Sequence, residues 1–300
     1  MARVSVADIR AVTTTILRNR LRPRDETGAA GGLIELPASS YPIIVGDLHS
    51  CIKNLQSILE HNGNLKRIRS GGGVLVLLGD LVHNDQTGEL REMASSVASL
   101  EYLFGLYRLH KNRIVHLRGN HDTFDEALVK NGIRQGKEFY DFVIEHRGVQ
   151  YAKAVQEYFD ALPLSVVGEN YVIVHAGPVR GGTDRNDLVN VNRNPDHYWQ
   201  LIWNRINEFG GTVSSKEYDE YDIEQTRRKL GMSTDTQFIV GHNPLWNNGN
   251  RTGIWLDVLG IKGHHILYSG AGTRAPYLTF EGGRLTVNYA IAPEPERLYV

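Results

Sequence analysis

From about residue 42 onward, short apolar runs alternate along the chain with segments that have helical spacing. The runs are YPIIV, GVLVLL, NRIVHL, NYVIVH, TQFIV and HHILYS. Between them, the spacing of apolar residues predicts helices at about residues 50–61, 89–110, 125–131, 136–147 and 150–160. Strands that are apolar throughout are typical of a sheet covered on both faces. The pattern therefore predicts an α/β fold.

Two regions depart from this alternation. Residues 5 to about 20 predict a helix capped by Ser5, and RPRDETGAAGG then breaks the pattern, so residues 1–40 are interpreted as an appendage to a domain at 41–300. Residues 178–235 are rich in Gly, Asn and Asp with interleaved aromatic residues, which predicts long loops around one short helix near 198–206. Loops of that length usually frame a site.

Polar clusters follow five of the apolar runs. They are Gly46-Asp47-Leu48-His49, Gly79-Asp80, Gly119-Asn120-His121-Asp122, His175-Ala176-Gly177 and Gly241-His242-Asn243. Because the carboxyl ends of the strands lie along one edge of an open α/β sheet, we expect these clusters to converge. Asp, His and Asn supply the oxygen and imidazole ligands that hold Mn²⁺, Fe or Zn²⁺. Asp47 and His49 would face the same side of an extended segment.

Each cluster also has an ordinary interpretation. A single Gly-Asp after a strand is more often a turn or a helix cap, and a single histidine such as His175 is more often a hydrogen-bonded residue near the surface. Five such endings in one chain favour the metal interpretation. Most of the remaining histidines are assigned to surfaces or packing; they are His61, His83, His110, His116, His146, His197, His264 and His265.

Composition and charge limit the classes of protein to which this chain can belong. The chain is 41% apolar and 22% charged, as in folded globular proteins. Its formal net charge of −1 gives no general attraction to nucleic acid or to an anionic membrane. Cys51 is the single cysteine, and no signal-peptide core or membrane-length apolar run is present. The predicted location is the cytoplasm.

In order and content, the five clusters resemble those of the calcineurin-like metallophosphoesterases. Within that superfamily the similarity is greatest to the phosphoprotein phosphatase branch of Ser/Thr phosphatases and its bacterial relatives. The segments LRGNHD, EYFDALPLSVVGENYVIVHAG and LIWNR carry this similarity, which spans about residues 42–280. The resemblance implies a two-sheet β-sandwich flanked by helices in four layers, with residues 41–300 as the catalytic domain.

The resemblance also implies roles for individual residues. Asp47, His49 and Asp80 would bind a first metal ion, with Asp80 bridging to a second. Asn120, His175 and His242 would complete the second site. His121 matches a histidine that does not bind metal but serves as general acid, or otherwise steadies the leaving oxygen. Arg118 and Arg205 match arginines that bind the phosphate.

One cluster departs from the family pattern. The family's Gly-Asp-x-Val-Asp-Arg-Gly is Gly79-Asp80-Leu81-Val82-His83-Asn84-Asp85 here. His83 replaces the aspartate that pairs with the histidine matched by His121, and it is expected to depress the pKa of His121. Asn84 replaces a phosphate-binding arginine, which is expected to weaken phosphate binding. Asp85 is an alternative partner for His121. These changes indicate a divergent, bacterial-type member.

The predicted function is a metal-dependent phosphoesterase that hydrolyses a phosphoprotein or a small phosphomonoester. The negative charge of such an ester repels nucleophiles. Two cations about 3.5 to 4 Å apart neutralise that charge and lower the pKa of a bridging water, while arginines add paired donors for phosphate oxygens. Mn²⁺ is the first choice of metal, with Fe, Zn²⁺ or Mg²⁺ as alternatives. No specific nucleic-acid or membrane partner is expected, and the oligomeric state is left open.

Two other functions compete with this one. The chain could hydrolyse a diester or a dinucleoside polyphosphate, because aromatic residues of the 178–235 segment could stack a base or simply pack a lid; they are Tyr198, Trp199, Trp203, Tyr218 and Tyr221. The chain could also be a metal- and phosphate-binding protein that has lost turnover through the changes at His83 and Asn84. Tyr268 has an equally good interpretation as a core residue and is not placed among the catalytic residues.

Overall fold

Two mixed sheets form the centre of the protein, whose computed structural model describes residues 3–85, 88–245, 249–270 and 272–292. The first sheet has five strands, which are β2 (Tyr41–Val45), β3 (Gly73–Leu77), β4 (Ile114–His116), β14 (Arg274–Glu281) and β15 (Arg284–Ile291). They lie in the order β15-β14-β2-β3-β4. Strands β2, β3 and β4 are parallel, and β14 runs antiparallel to both of its neighbours.

The second sheet has six strands. They are β1 (Leu33–Glu35), β7 (Ser165–Gly168), β8 (Tyr171–Val174), β11 (Gln237–Val240), β12 (Ile254–Trp255) and β13 (His264–Leu267). Their order is β1-β7-β8-β11-β13-β12, with β8, β11 and β13 parallel. Each predicted apolar run thus contains a strand, whereas β1, β7 and β12 of this sheet were not predicted.

The alternation of side chains along each strand explains why the sheets and helices form layers. In β3, Val74 and Val76 pack in the core between the two sheets, whereas Leu75 and Leu77 face the other way. Strand β11 repeats this on the second sheet, where Ile239 joins the inter-sheet core. Because side chains of a strand point alternately to its two faces, both faces of each sheet are apolar and need cover.

Helices provide that cover. The longer ones are α1 (Val6–Leu17), α2 (Ile52–Glu60), α4 (Ala94–His110), α5 (Gln135–Arg147) and α6 (Val149–Asp160), and residues of all five pack on the outer face of the first sheet. The others are α3 (Asn64–Arg69), α7 (Arg185–Val189), α8 (Pro195–Trp203) and α9 (Glu220–Lys229). Residues of α7, α8 and α9 cover the second sheet. The predicted four-layer arrangement is confirmed.

The helix predicted at residues 125–131 is wrong. Instead, β5 (Val129–Lys130) and β6 (Ile133–Arg134) form an antiparallel hairpin. Its turn is Asn131-Gly132, with φ of 49° and 79°. An Asn-Gly pair with both residues at positive φ is the preferred two-residue hairpin turn, and this local preference outweighs the apolar spacing.

The prediction of one short helix within residues 178–235 is incomplete. Besides α8, the segment contains α7 and α9, as well as a short parallel pair of β9 (Arg205–Ile206) with β10 (Glu217–Tyr218). The side chains of Asp184 and Asp219 each accept a hydrogen bond from a backbone N–H in the first turn of α7 and α9. These acidic residues therefore cap helices, although their composition is typical of loops.

Residues of the predicted appendage contact the rest of the fold. Ser5 caps α1 as predicted, and Ile9 and Val12 of α1 are buried in the core that covers the first sheet. Strand β1 pairs in parallel with β7 at the edge of the second sheet. The division of the chain at residue 40 stays a prediction.

Candidate metal centre

The polar clusters predicted to converge do meet at one edge shared by the two sheets. Asp47, Asp80 and Asn120 follow β2, β3 and β4 of the first sheet, and His175 and His242 follow β8 and β11 of the second. All five residues are buried. The centre is therefore built from both sheets and depends on how they pack together.

The backbone leaves the extended conformation at several of these residues. His49, Asp80 and His242 have φ of 43°, 49° and 61°, which is uncommon for residues other than glycine. The expectation that Asp47 and His49 share one side of an extended segment is therefore wrong, because the chain turns at His49. The backbone N–H of His49 donates to the carbonyl of Asp80 at 2.9 Å, which fixes this turn. Strained backbone of this kind is concentrated at functional sites.

Asp80 lies at the middle of the centre. Its Oδ2 is 3.7 Å from Nε2 of His49 and 3.5 Å from Nε2 of His175. The potential ligand atoms fall into two overlapping groups, one of His49, Asp80 and His121 and the other of Asp80, His175 and His242, each within 4.8 Å. Asp80 is common to both groups, as a bridging ligand would be.

Asn120 and Asp47 connect the second group. Oδ1 of Asn120 is 3.0 Å from Nε2 of His175 and 2.8 Å from Nδ1 of His242. Oδ2 of Asp47 accepts a hydrogen bond from the backbone N–H of His242 at 2.9 Å. Gly241 permits this approach, because a Cβ at that position would lie 2.0 Å from Oδ1 of Asp47. A side chain at residue 241 would displace the Asp47 carboxylate.

Asp122 positions the segment that carries Asp80. Its Oδ2 accepts hydrogen bonds from the backbone N–H groups of Asp80 and Gly119, both at 2.9 Å, and its Oδ1 accepts one from Leu81 at 3.1 Å. The side chain is fully buried. Asp122 belongs to one of the predicted clusters, but no role was predicted for it, since nothing in the spacing shows that its carboxylate faces backbone amides.

Charge in the centre is unevenly distributed. Burial raises the pKa of Asp47 above its usual range, and Asp80 adds to this effect. Burial alone would lower the pKa of His175, but the carboxylates of Asp80 and Asp47 raise it to about 9. In turn, burial alone would raise the pKa of Asp80, but the positive charge of His175 outweighs this effect and holds that pKa well below its usual value. Two buried carboxylates here need positive charge beside them, which a cation would supply.

The histidine tautomers suit a metal ion. Nδ1 of His49 lies 3.0 Å from the carbonyl oxygen of His83, and Nδ1 of His175 lies 2.9 Å from that of Leu78. Because a carbonyl only accepts, each Nδ1 carries a hydrogen, which leaves Nε2 as the ring nitrogen that would bind a metal ion. In His175, whose pKa is raised, the ion would replace a proton at that nitrogen.

Unpaired atoms support the same conclusion. Among the described residues, the buried Oδ1 of Asp47 and Nε2 of His242 have no hydrogen-bond partner, an arrangement that is costly unless a ligand satisfies them. The donor set therefore fits divalent cations.

A cavity of about 200 Å³ opens beside the centre. It is lined by His49, Asp80, Asp85, Asn120, His121, Leu128, Val129, Lys130, Trp203, Arg205, His242, Pro244 and Tyr268. His121 and Arg205 thus share a cavity with the candidate ligands. Arg118 is absent from this described lining; its guanidinium lies 3.5 Å from Oδ1 of Asp160 instead.

Residues near the altered Gly79-Asp80 cluster make contacts that differ from those expected. Asp85 does not pair with His121 in the described contacts; it accepts a hydrogen bond from the Tyr268 hydroxyl at 2.9 Å and pairs with Lys130. The His83 and His121 rings are 5.5 Å apart, and burial is the largest of the effects that lower the pKa of His121 to about 4. Tyr268, which sequence analysis left out, lines the cavity, and so does Lys130, which it did not consider.

The family model of the calcineurin-like phosphoesterases matches residues 43–270. The chain belongs to this family, and it is a hydrolase of phosphate esters. No curated protein matches it in sequence. No helix among the described residues is long and apolar enough to cross a membrane.

Solved structures give the same fold. A protein serine/threonine phosphatase from Saccharomyces cerevisiae with similarity to human phosphatase PP5 matches with a TM-score of 0.72 and 16% identity, over 97% of this chain and 90% of that one. The cold-active protein-tyrosine phosphatase of a psychrophilic Shewanella species matches with a TM-score of 0.54 and 15% identity, over 85% and 82%. At these identities the likeness is one of fold.

Proposed function

We propose that this protein is a phosphatase that hydrolyses phosphomonoesters, either on proteins or on small molecules, with two divalent cations of which Mn²⁺ is the first candidate. One observation carries the proposal. Two groups of potential ligand atoms share Asp80 and lie beside a cavity that also contains His121 and Arg205. A dinuclear site with an adjacent cation and a proton carrier is the arrangement that phosphomonoester hydrolysis needs.

The ligand set is taken from the family pattern, and the place of Asp80 in both groups of ligand atoms supports it. Asp47, His49 and Asp80 would hold one cation, and Asp80 would hold the second together with three further residues; these are Asn120, His175 and His242. Cations held there supply charge neutralisation for the phosphoryl oxygens and a lowered pKa for the attacking water.

Arg205 would bind the phosphate from one side of the cavity. Its Nη1 donates to the carbonyl of His242 at 3.4 Å, which ties the guanidinium to the segment that carries a candidate ligand. A guanidinium presents paired N–H donors that match two phosphate oxygens. Arg118, which does not reach the cavity, keeps a phosphate-binding role only as a prediction from the family pattern.

His121 would serve the leaving oxygen. Its backbone N–H donates to Oδ1 of Asp80 at 2.8 Å, which fixes the residue against the centre. Its Nδ1 has no hydrogen-bond partner among the described residues. With a pKa of about 4 the ring is neutral at pH 7, so it is available to donate a hydrogen bond to the departing alkoxide, and it would donate a proton only where the negative phosphate raises its pKa.

A metal and substrate panel tests the proposal. The purified chain would be analysed for bound metal, loaded separately with Mn²⁺, Zn²⁺, Fe²⁺ and Mg²⁺, and assayed with an aryl phosphate, its diester analogue, phosphoserine and phosphotyrosine peptides, and a dinucleoside tetraphosphate. We expect about two metal ions per chain, highest activity with Mn²⁺, and turnover of monoesters well above that of the diester. Faster turnover of the diester or the tetraphosphate would overturn the monoesterase proposal. Tight metal binding without hydrolysis of any ester would instead indicate a non-catalytic protein.

A further inference from the structure

The β5–β6 hairpin brings a lysine to the candidate metal centre. Lys130, at the end of β5, lines the cavity beside Asp80, His121 and Arg205. Its side chain is 33% exposed, so it is neither free in solvent nor enclosed. Of the described residues that line the cavity, Lys130 and Arg205 are the two that carry a side-chain cation at neutral pH irrespective of histidine protonation.

Two side chains hold Lys130 in place. Its ammonium group forms an ion pair with Asp85, whose side chain is 8% exposed. Asp85 also accepts the hydrogen bond from Tyr268, and the Tyr268 ring stacks on His49 with 5.6 Å between ring centroids. This series of contacts connects Lys130 to a candidate metal ligand. Because an ammonium group has three N–H donors, pairing with one carboxylate leaves donors for a phosphate oxygen.

Position 84 does not supply a cation to the cavity. The family pattern has a phosphate-binding arginine there, whereas this chain has Asn84. The Asn84 amide donates to Oε2 of Glu89 at 2.9 Å, and it is not among the residues described as lining the cavity. A phosphate in the cavity would therefore meet Arg205 on one side and would lack a partner cation from this segment.

We propose that Lys130 is a substrate-binding residue that supplies the second phosphate-binding cation of this enzyme from a different element of the fold. The inference rests on the proposed phosphatase function. The hairpin turn at Asn131-Gly132 and the Asp85–Tyr268 contacts place the ammonium group at the cavity, where it binds a phosphoryl oxygen together with Arg205. A lysine binds phosphate as a point charge, which accepts more orientations of the ester than a second bidentate arginine would.

A purely structural role for the ion pair is the rival explanation. In that case Lys130 would only neutralise Asp85 and hold the hairpin, and removing both charges together would restore binding. The variants that separate the two explanations are Lys130→Met, Lys130→Arg, Asp85→Asn and the double variant Lys130→Met with Asp85→Asn. Lys137→Met is the matched control, because Lys137 is an exposed lysine that pairs with Asp141 on α5.

Three quantities would be measured on the full-length, Mn²⁺-loaded chain. They are KM and kcat for an aryl phosphate, the Kd of inorganic phosphate by calorimetry, and the midpoint of thermal unfolding. We expect Lys130→Met to raise both KM and the phosphate Kd by about tenfold or more, as for the loss of one charge-assisted hydrogen bond. Lys130→Arg should largely restore both values, and Lys137→Met should equal the wild type.

The double variant decides between the explanations. If Lys130 binds phosphate, the double variant should still show a phosphate Kd about tenfold above that of Asp85→Asn. If the double variant and Asp85→Asn bind phosphate equally, the inference is overturned. The unfolding midpoints show whether a loss of binding comes from misfolding. Should the wild type hydrolyse no ester, the proposed function fails, while the phosphate Kd values still test Lys130.

Discussion

Two groups of buried histidines in this molecule differ in how their ring nitrogens are satisfied. In β13, Nε2 of His264 is 3.1 Å from the hydroxyl of Tyr218, and Nδ1 is 3.2 Å from the carbonyl of Phe238. Both ring nitrogens of its neighbour His265 also have hydrogen-bond partners. All four ring nitrogens of these two histidines have hydrogen-bond partners within the fold, so none is left to bind a ligand.

Several histidines in and beside the candidate metal centre show the opposite arrangement. Nε2 of His242, Nδ1 of His121 and both ring nitrogens of His83 are buried without a hydrogen-bond partner among the described residues. Unsatisfied buried polar atoms are costly, so a native protein retains several of them together only where something else satisfies them. The difference teaches where ligands could act: the β13 histidines are satisfied within the fold, whereas His242 and His121 keep ring nitrogens that the proposed function would use for a metal ion and a substrate.

The largest effect is expected from Asp80→Asn, which removes the carboxylate common to both ligand groups. The amide keeps the size of the side chain but loses the negative charge that holds two cations. We expect a loss of bound metal and a fall in kcat of about a thousandfold or more, because several kcal/mol of transition-state stabilisation come from the metal site. Metal analysis and steady-state kinetics check this. Asp141→Asn, on the exposed face of α5, is the control, and an active Asp80→Asn enzyme would remove the assignment.

His121→Ala should separate catalysis from metal binding. If the ring acts on the leaving oxygen, kcat should fall by about a hundredfold while bound metal stays unchanged, since general acid catalysis contributes effects of that order. The fall should be smaller for an aryl ester with a good leaving group than for an alkyl ester. Loss of one metal equivalent would mean that His121 is instead a ligand, in keeping with its place in the first group of ligand atoms.

His264→Ala should have the opposite effect to His121→Ala: it should lower stability and leave catalysis unchanged. The change leaves the Tyr218 hydroxyl without its hydrogen-bond partner, removes the contact between the ring and the Phe238 carbonyl, and opens a cavity beside β11. We expect the free energy of unfolding to fall by about 3 kcal/mol, while metal content and kcat per folded molecule stay unchanged. Denaturant unfolding and metal analysis check both parts. A His264→Ala protein that lost metal at full stability would break the distinction between the two regions.

Much of the candidate metal centre could be predicted from the sequence because its residues follow strands. Asp47, Asp80, Asn120, His175 and His242 all come directly after apolar runs, and the shared edge of the sheets brings them together. The four layers could be predicted for a related reason. The predicted strands are apolar on both faces, so both faces of each sheet need to be covered.

Three residues could not be predicted in this way, because their positions depend on the hairpin or on long-range side-chain contacts. They are Lys130, Tyr268 and Asp122. Lys130 was assigned to a helix because its segment has apolar spacing, and the Asn131-Gly132 turn was the overlooked signal. Tyr268 and Asp122 depend on long-range contacts that no local pattern records. Arg118 stays a prediction from the family pattern, because it is not among the residues described as lining the cavity.

The smallest effect concerns the pH dependence of stability in the β13 region. Burial lowers the pKa of His264 to about 3, compared with an ordinary value of 6.5. Between these values the unfolded chain binds a proton that the native protein excludes, so the contribution of His264 is complete above pH 6.5 and declines as pH falls toward 3. His264→Gln, which keeps a polar but uncharged side chain, should lower the slope of unfolding free energy against pH by up to about 1.4 kcal/mol per pH unit. Unfolding measured from pH 4 to 7 with the metal removed checks this difference, which isolates His264 from the histidines of the centre. Equal slopes for the two proteins would show that His264 is already protonated in the native state, and the contrast with the metal centre would then rest on hydrogen bonding alone.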